Sequence, residues 1–141
     1  MNDNLLPQGV KWIQVPQNVD ERGALSFLEA NVDIPFDVKR VFWITDVPEG
    51  KTRGAHAHWT CHEALFAVSG GFELEVDDGN LCSKLQLSKS NYGVMIPAGV
   101  WCELRNFQPG TVCVVMASQP YDAEGYVHDR AEWRKRVKQR V

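Results

Sequence analysis

Gly50-Lys51-Thr52-Arg53-Gly54-Ala55-His56-Ala57-His58, followed by Glu63 and Gly70, is the stretch on which the reading of this chain turns. Two histidines stand one residue apart in a run bounded by glycines. On a β-strand, side chains two positions apart point to the same face. If the run is a strand, His56 and His58 project together into one cavity. Two imidazoles so placed either give and take protons near neutral pH or hold a metal. A lone histidine of this kind is usually a hydrogen-bonded packing residue. A same-face pair flanked by Arg53 and glycines points to a site. Gly54 lets the backbone approach a ligand closely, or serves a bulge.

Turn residues punctuate the chain on either side of this run. Pro48-Glu49-Gly50, Gly70-Gly71, Asp77-Asp78-Gly79-Asn80, Pro97-Ala98-Gly99 and Gln108-Pro109-Gly110 mark breaks. Between them lie short runs rich in Val, Ile, Phe, Leu and Trp. Residues 40–45, 63–68, 71–76, 81–87, 92–96 and 111–117 are the strand candidates. Phe72-Glu73-Leu74-Glu75-Val76 alternates as a half-buried strand should, and Asp78-Gly79 signals a hairpin. The spacing predicts an all-β sandwich or barrel. Only the tail reads as helical. Asp122-Ala123-Glu124 opens a short turn, and residues 128–140 form a helix with Trp133 and Val137 on one face. Its basic cluster, Arg130, Arg134, Lys135, Arg136, Lys138 and Arg140, is expected to be a solvated face.

The bulk properties narrow the classes. The chain has 141 residues, 44% hydrophobic and 23% charged, with a formal charge of −3. That length suits one domain, 1–141. The acidic balance argues against a nucleic-acid partner. Cys61, Cys82, Cys102 and Cys113 lack the paired spacing of a zinc ribbon. The N-terminus does not read as a signal peptide, and no run is long enough to span a membrane. Cytoplasmic localisation with reduced thiols is expected.

The spacing of Gly50, His56, His58, Glu63 and Gly70 resembles the first motif of the cupin superfamily. Pro97-Ala98-Gly99-Val100-Trp101-Cys102-Glu103-Leu104-Arg105-Asn106 resembles the second, with Cys102 where the motif has histidine. The resemblance implies an all-β fold, the cupin double-stranded β-helix or jelly roll, here with a short C-terminal helix and the site in the barrel mouth. In metal-binding cupins the corresponding residues converge on an ion. His56, His58 and Glu63 supply three ligand types here, and Cys102 is either a thiolate ligand or a small buried apolar residue.

A narrower resemblance rests on Asp20-Glu21-Arg22-Gly23-Ala24-Leu25, Lys39-Arg40-Val41, Arg53-Gly54-Ala55-His56-Ala57-His58, Asp77-Asp78-Gly79 and Ala117-Ser118-Gln119-Pro120-Tyr121-Asp122. In this order the segments are similar to the cupin-class nucleotide-sugar 3,4-ketoisomerases. Those enzymes move the carbonyl of dTDP-4-keto-6-deoxyglucose from C4 to C3, without metal or cofactor, for deoxyamino sugars of surface polysaccharides or glycosylated natural products. They are dimers with swapped N-terminal strands. The resemblance implies His56 and His58 as acid and base. It implies Arg22 and Glu29 near the nucleotide. Arg22 and Arg53 are the candidate cations for the diphosphate, and Trp101 and Tyr121 are the candidates to stack on thymine or wall the sugar. Three positions depart from the family pattern: Phe42-Trp43 where tyrosine is common, Glu63 for glutamine, and Cys102 for histidine. The alternatives are a metal-dependent cupin of oxygenase type and a non-catalytic sugar-nucleotide-binding cupin.

Overall fold

Alternation along short strands, more than any long apolar run, builds this molecule. The computed structural model describes residues 5–139. In chain order the strands are Lys11–Gln14 (β1), Gln17–Asp20 (β2), Gly23–Ser26 (β3), Arg40–Thr45 (β4), Arg53–His58 (β5), Glu63–Ser69 (β6), Phe72–Asp77 (β7), Cys82–Leu87 (β8), Tyr92–Ile96 (β9), Trp101–Arg105 (β10), Val112–Ala117 (β11) and Tyr126–Val127 (β12). The helix Arg130–Gln139 (α1) follows. One five-stranded sheet has the order β1-β9-β6-β11-β4, and the other β12-β5-β10-β7-β8. From β4 onward the chain crosses between the two sheets at nearly every connection. The exception is the β7–β8 hairpin, where Asp78 Oδ1 accepts from the backbone N–H groups of Asn80 and Leu81. This is the expected jelly roll, and all of its strand pairs are antiparallel.

The inner faces of both sheets meet in one core. Leu65 and Val94 come from the first sheet, and Phe72, Leu74, Val76 and Leu104 from the second. The regular alternation of β7 thus buries its Phe, Leu and Val on the inside, as the sequence pattern predicts. β2 and β3 pair only with each other and form a separate arm, on which Val19 and Leu25 remain exposed.

The tail departs from expectation in two ways. The helix starts at Arg130 rather than residue 128, because Asp129 caps it: its Oδ1 accepts the Glu132 N–H at 3.1 Å. Residue 140, expected in the helix, lies outside the described residues. The basic face is also not simply solvated. Arg130 Nη2 lies 2.8 Å from Glu75 Oε2 and 2.7 Å from Asp77 Oδ2, and Arg134 reaches Asp77 at 3.2 Å. Arg105 completes the network at 2.7 Å from Glu75 and 2.6 Å from Glu103. Burial alone would raise the Glu75 carboxyl, but these guanidinium partners bring it down to about 2. Arg136 stacks over the Trp59 ring, 4.2 Å from its centroid.

Trp133 anchors the same helix from its apolar side. It is fully buried with Ala57, Trp101 and Val127, and its Nε1–H donates to the Gly99 carbonyl at 2.8 Å. Trp133→Ala should cost about 3–5 kcal/mol, the range for truncating a buried aromatic. Denaturant unfolding of the variant measures that loss.

Candidate active site

β5 has two occupied faces. Gly54, His56 and His58 point into the barrel, whereas Ala55 and Ala57 pack under α1 with Trp101, Val127 and Trp133. Small residues on that face let the helix come close. β5 pairs with β10 through Cys102↔His56, and the register then shifts so that Glu103 faces Gly54 and Leu104 faces Arg53. This bulge is where the chain turns left-handed, with φ of +80° at Gly54 and +59° at Ala55. A Cβ on Gly54 would sit 3.1 Å from the Cys102 carbonyl oxygen. The bulge sets Arg53 and Gly54, neighbours in sequence, on the wall of the same cavity.

That cavity has a volume of about 290 Å³, at the small end for a ligand site. Phe42 and Ile44 from β4 join Leu65, Leu104 and Val115 as its apolar surface. Its polar groups are Arg40, Arg53, His56, Glu63, Tyr121, Tyr126 and His128. The two imidazoles do meet: their ring centroids are 4.9 Å apart and nearly perpendicular, at 81°. His56 lines the cavity. His58 lies behind it, 6% exposed. His58 Nε2 comes within 3.0 Å of Glu63 Oε2, but neither atom makes an aligned hydrogen bond.

Burial pushes the His56 pKa down to about 4, assisted by the charges of His58, His128 and Arg40 and opposed by Glu63. At neutral pH His56 is therefore an unprotonated base. The Tyr126 ring contacts both imidazoles, at 5.0 Å from His56 and 4.2 Å from His58, and stacks on His128 at 7°. Both terminal nitrogens of Arg40 donate to the Tyr126 hydroxyl through long contacts of 3.4 Å. Burial raises the phenol's pKa, against the opposing pull of Arg40.

His56, His58 and Glu63 place one ligand atom each within 4.8 Å of one another, a donor set that a first-row divalent ion accepts. The fourth position does not extend it. Cys102 is buried, its thiol is pushed well above the ordinary range by burial, and ligation needs the thiolate. Of the two readings open for Cys102, this environment fits the small apolar one.

The other expected site residues divide into two groups. Arg53 and Tyr121 line the cavity, with Tyr121 at its mouth, 67% exposed and 5.6 Å from the Arg40 guanidinium. Trp101 does not line it. Cys102 and Leu104 of β10 face the cavity, so Trp101, one residue out of phase, faces α1, and its Nε1–H donates to Glu103. Arg22 and Glu29 also stand apart from it. Arg22 sits on the β2–β3 arm, 85% exposed and bound to Asp20 at 2.6 Å. The backbone N–H of Glu29 donates to Asp33. His62 does not join the site either, because its Nδ1 accepts the Ala98 N–H at 2.9 Å. The sequence assigns no site role to Arg40, Tyr126 or His128, although Arg40 lies in the Lys39-Arg40-Val41 segment of the family resemblance. Their signal was parity: Arg40 shares the inward phase of Phe42 and Ile44, and Tyr126 and His128 are two apart on one face.

Two five-stranded antiparallel sheets around a histidine-lined pocket define a cupin-like jelly roll with an internal site. The family model described as FdtA: WxcM-like, C-terminal, matches residues 8–138. The chain is 32% identical to the TDP-4-oxo-6-deoxy-alpha-D-glucose-3,4-oxoisomerase of Aneurinibacillus thermoaerophilus, over 90% of this chain and 91% of that one. It superposes with a TM-score of 0.93 and 30% identity on a His-to-Asn mutant of the 3,4-ketoisomerase QdtA from Thermoanaerobacterium thermosaccharolyticum, in complex with TDP-4-keto-6-deoxyglucose. That match covers 96% of this chain and 99% of the other. The WlaRB TDP-quinovose 3,4-ketoisomerase from Campylobacter jejuni matches at 33% identity and a TM-score of 0.87, over 92% and 99% of the two chains. The chain belongs to this nucleotide-sugar 3,4-ketoisomerase family.

The lowered His56 pKa has a consequence for stability. Between pH 6.5 and about 4 the unfolded chain binds a proton at this residue that the folded chain does not. Stability is therefore fully present above pH 6.5 and falls as the pH drops through that window. His56→Gln should flatten this part of the curve, which melting temperatures recorded from pH 7.5 to 4.5 will show.

Proposed function

We propose that the protein converts TDP-4-keto-6-deoxyglucose to the 3-keto isomer by metal-free acid–base enolisation within one cupin domain. The observation that carries this reading is a neutral imidazole, His56, on the wall of a sugar-sized cavity beside the cations Arg40 and Arg53. The ketone at C4 acidifies the hydrogen at C3. His56 removes that hydrogen and returns it to C4 after the electrons have shifted through an enediol. No net oxidation occurs, so the reaction itself demands no redox group. His58, packed behind, and Glu63, on the cavity wall, set the electrostatic surroundings of His56. Arg40 supplies positive charge where oxygen becomes electron-rich. Arg53 stands at the edge shared with a second groove that also contains Trp43 and Lys51, which suits a diphosphate leading out of the cavity. Tyr121 borders the mouth, where thymine or the sugar stacks. A 3-keto product is a substrate for amination, consistent with deoxyamino-sugar formation for surface polysaccharides in the cytoplasm.

Incubation with TDP-4-keto-6-deoxyglucose, followed by NMR of the product, should show the carbonyl moving to C3. Turnover should survive chelator, and His56→Asn should lower it about 10²–10⁴-fold. Loss of activity in chelator, restored by a divalent ion, would instead support the metal-dependent alternative. TDP binding without turnover would support the binding-only one.

We further propose a homodimer with exchanged N-terminal arms, which brings Arg22 and Glu29 to the partner's nucleotide. Support comes from the detached arm, with Val19 and Leu25 exposed, and from the outward face of β4, where Val41 is 49% and Trp43 67% exposed. Trp43→Glu should shift the mass measured by light scattering from dimer to monomer.

A further inference from the structure

The structure divides the proton traffic between two places. A ketone shift from C4 to C3 moves one hydrogen between carbons and one between oxygens. Only one of the two expected histidines, His56, lines the cavity. His58 is buried behind it against Glu63, so the group that serves the oxygens must be another. Phe42 has no hydroxyl to offer from β4, and Cys102, although on the wall, is a buried neutral thiol.

We infer that the Tyr126 hydroxyl, held by Arg40, carries the proton from O3 to O4. This rests on the ketoisomerase reading and deepens it. Tyr126 lines the same cavity as His56, with its ring 5.0 Å from that imidazole. Arg40 donates two N–H groups to the phenolic oxygen, which leaves the hydroxyl's own hydrogen free to point into the cavity. The Arg40 Nε is buried and has no acceptor among the described residues. A fixed cation with an unused donor, beside a phenol, suits an oxygen that gains negative charge.

The step balances. His56 takes the hydrogen from C3 while the C3–H electron pair becomes the C3=C4 bond. The C4=O4 π electrons accept the Tyr126 proton, giving the enediol and a phenolate that Arg40 stabilises. The phenolate then takes the proton from O3 as the C3=O3 bond forms, and the protonated His56 delivers its hydrogen to C4. Both side chains end as they began, and nothing is oxidised or reduced overall.

Two replacements at Tyr126 test this, with His56→Asn measured beside them. Tyr126→Phe keeps the ring and removes the hydroxyl, whereas 3-fluorotyrosine at the same position keeps a transferable proton. The expected result is a kcat lowered about 10²–10⁴-fold in Tyr126→Phe, with TDP affinity within threefold of the parent, and activity restored to within tenfold by 3-fluorotyrosine. Turnover by Tyr126→Phe within threefold of the parent overturns the inference. So does a 3-fluorotyrosine protein as slow as the phenylalanine one, or a parallel loss of TDP affinity, since either would assign Tyr126 to packing or binding. If the parent itself turns over no 4-keto sugar, the ketoisomerase reading falls and takes this inference with it. If the parent is active and His56→Asn is not, while Tyr126→Phe is, only the oxygen relay falls.

Discussion

The site depends on a strand that is covered on both sides. β5 must present histidines inward and almost nothing outward, because α1 lies across its outer face. Strand geometry enforces the division, since neighbouring residues cannot share a side. The Ala-His-Ala-His pattern is the sequence form of that requirement. A bulky residue at position 57, fully buried, would push the helix off the sheet. A polar residue there would need a partner that the apolar cluster does not hold.

The two faces also differ in how they treat charge. On the outer face, carboxylates and guanidiniums are matched nearly one for one, and the network is mostly saturated. On the inner face, donors and acceptors are left over. His58 Nε2 and Glu63 Oε2 touch without alignment, and Arg40 Nε has no acceptor among the described residues. Unspent polar capacity in a buried place is costly for folding, and such places are where ligands are handled. Arg130 Nε is also buried without a partner among the described residues, so what sets the pocket apart is that its leftover groups, Glu63 Oε2 and Arg40 Nε, belong to residues lining a cavity.

Much of this architecture was legible in the chain. Residues 40–45 and 92–96 coincide with β4 and β9, because alternating or apolar runs there end at clear turn residues. The β7–β8 hairpin was marked by its Asp-Gly turn. β1, β2 and β3 escaped notice: they are four residues each, β2 and β3 have little buried surface, and no periodicity can be read from so short a run. In the site, His56 and His58 announced themselves by spacing, and Arg53 by adjacency. Trp101 misled because its composition suggested a stacking wall while its phase on β10 sent it to the helix. Arg40, Tyr126 and His128 come from distant segments that only the fold brings together, and residue type alone does not distinguish such positions from surface ones.

The wall that bears Tyr126 and His128 is short. β12 contributes only Tyr126 and Val127, which pair with His58 and Ala57 at the edge of a sheet, directly before the capped start of α1. Two residues of ladder do not define a rigid surface by themselves. The tail's attachment on the outside, through Trp133 and the Arg130 cluster, thus acts as a clamp for side chains facing the interior. Additions that disturb α1 therefore bear on the pocket's shape.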